Sequence, residues 1–454
     1  MKSLLLFAAL MSCAGPAAET RPNIVFIMTD DHTFQAISAY GSKLITPNLD
    51  RIANEGIFDN CYVNALGPSR ACILTGKYSH NGFTNAKGDS TQQIPELLKA
   101  GYQTAMIGKW HLGSRPQGFD YWSINQGDYY QPFIEDNGKY IKEKGYATDI
   151  ITDKAIEFLE RDKNKPFFMM YHKAPHRNWM PAPRHLGIFD KTIFPEPANL
   201  DDYGRGKAAR EQMSIDLLAW DLKVTTEMLK DRYVYRMTEA WDAYRIAEYR
   251  GLKGALIWKY QQYMRDYLAT VLSVDENVGR LLDYLKKIGE LDNTIIVYTS
   301  DQGFYLGEHG WFDKRFMYEE SLRTPLIVRY PKAIKAGSVS AFNIDFAPTL
   351  LDVAGVTVPD MQGSLLPVLD NGKTPADWRK AVYYHYYEYP AEHVKRHYGI
   401  RTERYKLIHF YNDIDEWELY DMQDPEMNNL YGKKGYEKIK ELKLKEQKQK
   451  DDPE

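Results

Sequence analysis

The sequence predicts an α/β protein: a mostly parallel sheet sandwiched by helices, with a smaller antiparallel sheet after it. Three observations carry this reading. Short continuous apolar runs at residues 23–28, 103–107, 167–171, 294–298 and 326–328 have the length and composition of strands buried on both faces. Helix-like stretches at 47–55, 94–100, 149–161 and 267–288 alternate with them, which is the rhythm of strand–helix–strand units. Past about residue 371 that rhythm gives way to Tyr-rich, strand-like segments at 382–389 and 405–411, which fit a small antiparallel sheet.

The chain divides accordingly. Residues 19–370 form the expected main α/β domain, and 371–454 the small sheet domain with a solvated helix from about residue 436. The stretch 200–263, rich in Tyr, Arg, Glu and Asp, reads as a helical insertion. The first 18 residues have the layout of an export signal: Lys2, an apolar run from Leu4 to Met11, then small residues through Ala17 and Ala18. Export to the periplasm or beyond is therefore expected, with a lipid anchor through Cys13 as the alternative processing. No second apolar stretch reaches membrane-spanning length, so no transmembrane segment is expected. After processing, Cys61 and Cys72 are too few for a disulfide scaffold. The balance of 58 basic against 62 acidic residues, a net charge of −4, argues against a nucleic-acid binder. Any anionic ligand must be met by a local cluster.

Such a cluster is legible at the strand ends. Asp30 and Asp31 follow the first strand, and Asp301 and Gln302 follow a later one. Each pair alone could be a helix cap or a turn. Together they offer hard oxygen ligands suited to Ca²⁺ or Mg²⁺, at the sheet edge where α/β proteins bind ligands. Lys109, His111, His176 and Lys314 also follow strands, and with Arg70 they would make an electropositive pocket beside that cation. The target this chemistry fits is a tetrahedral anion, a sulfate or phosphate ester.

The segment from Pro68 through Ser69, Arg70, Ala71, Cys72, Ile73, Leu74 and Thr75 to Gly76 resembles the sulfatase signature, in which Cys or Ser, one residue, then Pro-Ser-Arg and a later Leu-Thr-Gly direct oxidation to formylglycine. Thr29-Asp30-Asp31, Gly108-Lys109-Trp110-His111-Leu112-Gly113, Ala174-Pro175-His176, Thr299-Ser300-Asp301-Gln302-Gly303, Asp345 with Ala347-Pro348-Thr349, and Trp417-Glu418-Leu419-Tyr420-Asp421 extend the likeness over nearly the whole mature chain. The sequence is thus similar to type I formylglycine-dependent sulfatases of the alkaline phosphatase superfamily. The resemblance implies an alkaline-phosphatase-like fold, and Ca²⁺ held by Asp30, Asp31, Asp301 and Gln302. It implies that Arg70 and Lys109 hold the formylglycine hydrate, that His111 acts on its hydroxyl, and that His176 and Lys314 bind the sulfate and help the alcohol depart. It also implies a maturation partner, a formylglycine-generating or anaerobic sulfatase-maturating enzyme.

The segments 301–320, 384–389 and Arg396-His397-Tyr398-Gly399 look most like bacterial sulfatases acting on N-acetylglucosamine-6-sulfate in glycosaminoglycans. That likeness makes Arg396 and His397 candidate substrate-binding residues. A sulfated algal polysaccharide such as ulvan stays open as the alternative substrate.

The signature departs at one position: Leu66 stands two residues before Pro68, where Cys or Ser belongs, and a leucine side chain cannot be oxidised to formylglycine. Either this chain is a nucleophile-less relative that only binds sulfated glycan, or one residue is absent between Leu66 and Gly67. The second reading places formylglycine at that junction, and it accounts for every other catalytic residue type being kept.

Overall fold

The computed structural model describes residues 21–439 except 55, 59, 64–68, 78–93, 95–97, 100, 126, 162–165, 202–251, 332–339, 357–360, 362, 364, 366–368, 370–374, 389–393, 413, 424–425 and 438. The Leu66/Gly67 junction, the export signal, most of the expected insertion, the boundary near 371 and the end of the expected terminal helix lie outside the described residues.

An eight-stranded sheet forms the centre. Its strands are β1 (Asn23–Thr29), β3 (Gln103–Lys109), β4 (Tyr121–Asn125), β5 (Phe133–Asp136), β6 (Lys139–Lys142), β7 (Pro166–Tyr171), β8 (Thr294–Ser300) and β10 (Leu326–Arg329), in the order β10-β8-β1-β7-β3-β4-β5-β6. From β8 to β4 neighbouring strands run parallel, while β10 is antiparallel to β8, and β5 and β6 form an antiparallel hairpin at the other edge. Successive residues of β1 serve opposite faces, as the pleat requires. Ile24, Phe26 and Met28 pack with Ile73, Leu74, Phe346, Leu350 and Leu351 on one side. Val25 and Ile27 pack with Leu49, Ile52, Phe158, Val278 and Leu285 on the other. A strand clad on both faces needs apolar residues throughout, and this is why β1 reads as a continuous run.

The helix expected at 267–288 begins earlier, so Leu252–Lys287 is one helix of 36 residues that absorbs the end of the expected insertion. Its buried positions Leu256, Tyr260, Tyr263, Tyr267, Val271, Val274, Val278, Leu281 and Leu285 recur three or four residues apart. Tyrosines supply three of that stripe's first four positions, so the stretch looks polar in composition while its periodicity is helical. The edge hairpin β5–β6 was not anticipated from the sequence, because β6 buries nothing and carries no alternation of apolar and polar residues.

The C-terminal sheet has four antiparallel strands in sequence order: β12 (Ala381–Tyr386), β13 (His397–Thr402), β14 (Tyr405–Phe410) and β15 (Glu416–Asp421). One face carries Tyr384, Tyr386, Ile408, Phe410 and Tyr420 into a cluster with Trp311, Phe316 and Tyr318. The loop that follows β8 is therefore clamped by the small sheet. A three-stranded sheet of β2 (Asn60–Tyr62), β9 (Arg323–Thr324) and β11 (Ser340–Phe342) completes the fold.

Candidate active site

The site forms at the carboxyl ends of the central parallel strands. Thr29 and Ser300, the last residues of β1 and β8, are partners in register, so Asp30–Asp31 and Asp301 leave the sheet side by side. Asp31 turns out of β1 with φ 69°, a left-handed conformation that aspartate tolerates better than most residues. Its backbone is held there on both sides: its N–H donates to Asp301 Oδ1 at 3.2 Å, and the Tyr267 hydroxyl donates to its carbonyl at 2.7 Å. Lys109 ends β3. The preceding Gly108 has φ 109°, and a Cβ there would come within 2.0 Å of the Tyr171 carbonyl oxygen, so only glycine lets β3 approach β7 at this point.

The helix Ser69–Thr75 brings in Arg70. Arg70 Nη2 lies 3.3 Å from Asp30 Oδ2 and 3.0 Å from Asp301 Oδ2, and Nη1 donates to the Lys109 carbonyl at 2.7 Å. Ser69 Oγ donates to the Asp301 carbonyl at 2.8 Å, which docks the helix start onto β8. Lys109 Nζ pairs with Asp30, and Lys314 Nζ with Asp31. His176 Nε2 is 3.8 Å from Asp31 Oδ2. The expected residues Asp30, Asp31, Asp301, Arg70, Lys109, Lys314 and His176 thus converge, and Gln302 is buried next to Asp301. His111 lies on the exposed side, close enough that Lys109 and Arg70 act on its ring.

Charge in this space is strongly coupled. Burial pushes Asp30 up, yet Lys109, His176, Arg70 and Lys314 together hold it well below the usual carboxylate value. Asp31 goes the other way: burial, with the carboxylates of Asp30 and Asp301 adding, outweighs Lys314 and pushes it up to about 7. Burial and then Lys109 lower His111, and burial with Lys109, Lys314 and Lys173 lowers His176. Both shifts favour the neutral imidazole.

The donor set fits a divalent cation. One ligand atom each of Asp30, Asp31 and His176 lies within 4.8 Å of the others, and Asp31 Oδ2 is buried with no hydrogen-bond partner.

Sequence reading missed several residues of the site. Lys173 is buried, donates to the Arg177 carbonyl at 3.3 Å, and burial followed by Lys109 lowers it to about 8. Asp313 accepts from both Arg177 and Arg315, framing Lys314. The signal was present: these residues flank His176 and Lys314 in the chain. His397 departs from its expected role, because its ring is fully buried among Phe316, Tyr384, Tyr386 and Phe410, with Nδ1 2.8 Å from the Lys395 carbonyl. A central strand position between two aromatic layers leaves no atom of it for a sugar to reach. Arg396 Nε donates to the Tyr387 carbonyl at 3.0 Å.

Fold and site together define a hydrolase of the α/β class built around a buried acidic centre and a ring of cations, suited to esters of tetrahedral anions. Known proteins agree. The family profile described as Sulfatase matches residues 22–356, and that described as N-sulphoglucosamine sulphohydrolase, C-terminal, matches 307–452. The N-acetylglucosamine-6-O-sulfatase of Bacteroides thetaiotaomicron is 72% identical over 488 residues, covering 96% of this chain and 87% of the relative. That span exceeds the 454 residues of this chain, so the alignment opens gaps in it. The human N-acetylglucosamine-6-sulfatase is 31% identical over 427 residues, covering 84% of this chain and 70% of the relative. A protein solved in complex with its substrate D-glucosamine-2-N,6-O-disulfate superposes with TM-score 0.86 at 68% identity, covering 95% of this chain and 98% of the other. This chain belongs to the sulfatase family, whose members are sulfuric ester hydrolases.

Proposed function

We propose that this chain hydrolyses the 6-O-sulfate ester of N-acetylglucosamine units in a glycosaminoglycan oligosaccharide. The observation that carries the reading is the convergence of three carboxylates with Arg70, Lys109 and Lys314 beside His111 and His176, in a chain 72% identical to an N-acetylglucosamine-6-O-sulfatase. When bound, calcium at Asp30, Asp31, Asp301 and Gln302 supplies positive charge, and formylglycine at the Leu66/Gly67 junction supplies the attacking hydroxyl. Arg70 and Lys109 orient that residue, and Lys314 and His176 hold the sulfate oxygens. His111, exposed and with its neutral form favoured by burial and by Lys109, moves a proton at the attacking hydroxyl. The Nδ1 of His176 faces the Arg177 carbonyl at 2.6 Å, which places its proton on Nδ1 and leaves Nε2 for the substrate side. The division near residue 371, and export to the periplasm through residues 1–18, belong to the same reading.

The retention of Arg70, Lys109, His111, His176 and Lys314 supports an absent residue at the junction over a replaced one. The test is sulfate release from N-acetylglucosamine-6-sulfate after coexpression with a maturation enzyme. A Cys inserted between Leu66 and Gly67 should create activity, and Leu66→Cys alone should not. Activity from Leu66→Cys only would show that the nucleophile position itself had been replaced. Silence from both, with sulfated oligosaccharide still bound, would mark a glycan binder.

A further inference from the structure

We infer that the edge hairpin β5–β6 is a second glycan-binding surface, holding the part of a sulfated oligosaccharide that extends away from the site. The inference rests on the substrate reading above and adds where the rest of the polymer lies.

Register places the hairpin beside the site. Lys109 pairs with Asn125, Asn125 with Ile134, and Ile134 with Ile141, one continuous row across four strands. At about 4.8 Å between strands, that row carries the sheet roughly 14 Å from Lys109. Because β5 runs antiparallel to β4, the pair Phe133 and Lys142 lies one step further toward the carboxyl edge, the same edge that holds the acidic cluster. A monosaccharide at Lys109 would not span this distance, whereas a longer chain leaving the site along the sheet edge would.

Directly paired residues share a face, so Phe133, Glu135, Tyr140 and Lys142 line one side of the hairpin. Phe133 is 54% and Tyr140 67% exposed, and Lys142 Nζ sits 5.3 Å from the centre of the Phe133 ring. Exposed aromatic rings next to cations suit a sulfated sugar: ring faces stack on pyranose, and ammonium groups pair with sulfate or carboxylate. The loop that carries His111 reaches this face as well. Arg115 Nη2 is 2.7 Å from Glu135 Oε1, and its guanidinium hydrogen-bonds Tyr140.

Charge favours an anionic occupant. Each acidic residue of the hairpin already has a cation beside it: Glu135 has Arg115, and Asp136 and Glu143 share Lys154 at 3.4 Å each. Lys139, Lys142 and Lys144 are exposed and make no ion pair among the described residues. A second copy of the chain pairing edge to edge is disfavoured by those same lysines, which repel one another across a symmetric strand contact.

The test compares binding of two probes, a 6-O-sulfated heparan oligosaccharide and the monosaccharide N-acetylglucosamine-6-sulfate, by calorimetry on the full chain. Phe133→Ala combined with Tyr140→Ala, and separately Lys142→Glu, should each weaken the oligosaccharide about tenfold or more and leave the monosaccharide unchanged. The Lys142→Glu effect should shrink at high salt. Unchanged oligosaccharide affinity, or an equal loss for both probes, overturns the inference. So does a change of oligomeric state in the variants with glycan affinity intact, which would assign the edge to a second copy. Failure of the monosaccharide to bind the parent chain would sink the substrate reading alone, since the oligosaccharide arm judges the hairpin independently.

Discussion

Arg70 and Asp301 meet through two guanidinium nitrogens on one carboxylate oxygen, Nε at 3.2 Å and Nη2 at 3.0 Å from Oδ2. The third nitrogen, Nη1, is committed to the Lys109 carbonyl. One side chain therefore ties the signature helix to the ends of β8 and β3. In a chain with the nucleophile restored, Arg70→Ala should abolish sulfate release and also destabilise the fold, because a buried carboxylate loses its main partner at a cost of about 3–5 kcal/mol. Arg70→Lys should recover part of the thermal stability and little of the activity, since one ammonium cannot reach three acceptors. Thermal melts beside a sulfate-release assay check both halves. Equal melting of the two variants would contradict the geometry.

Lys173 and His176 Nδ1 converge on the same Arg177 carbonyl, at 3.3 and 2.6 Å. The Tyr129 hydroxyl also donates to the His176 carbonyl at 2.6 Å, so the whole turn is held from below. In a chain with the nucleophile restored, Lys173→Met should lower kcat several-fold with little change in KM, and Lys173→Arg should restore part of it. Nitrogen NMR of the His176 ring should show its Nδ1–H form losing population in the Met variant. A kcat equal to the parent's would remove Lys173 from the positioning of His176.

Lys406, fully buried in β14, lies 2.9 Å from Glu319 Oε1 and 2.9 Å from Glu426 Oε1. Burial pushes Glu319 up, but Lys406 and Arg401 hold it down to about 2. A carboxylate with a depressed folded pKa contributes stability above its unfolded value of about 4.5 and loses it as pH falls toward 2. Lys406→Met should therefore cost about 3–5 kcal/mol at pH 7, with the gap to the parent narrowing below pH 4. Denaturant unfolding at the two pH values measures this, and a gap independent of pH would refute the pairing.

Glu320 behaves oppositely. Burial, followed by the carboxylates of Glu308 and Glu426, raises it to about 8, and its Oε2 has no hydrogen-bond partner. A raised folded pKa gives stability that is complete below the unfolded value and is lost as pH climbs through about 8. Glu320→Gln should melt like the parent at pH 5 and higher than the parent at pH 9. A variant that melts lower at pH 9 would mean Glu320 is held charged.

Much of the site was legible because strand ends concentrate function. Asp30, Asp31, Asp301, Lys109 and His176 each follow an apolar run that had to be a buried parallel strand, and such strands aim their following residues at one edge. The hairpin Phe133–Lys142 was not legible, since an exposed edge strand needs no alternation. His397 was misjudged because a histidine beside tyrosines reads the same whether it faces a sugar or a core.

The sequence by itself determined the α/β class, the position of the acidic pairs and the cations that would surround them, because these follow from local periodicity and from residues a few positions apart. Only the tertiary structure decided which charges touch. Asp30 is held well below the usual carboxylate value and Asp31 raised to about 7, though they are adjacent in the chain. Burial raises both, so the difference comes from their charged partners, among them Lys109, His176 and Lys314 more than seventy positions away, and no local pattern encodes the distances through which charge acts.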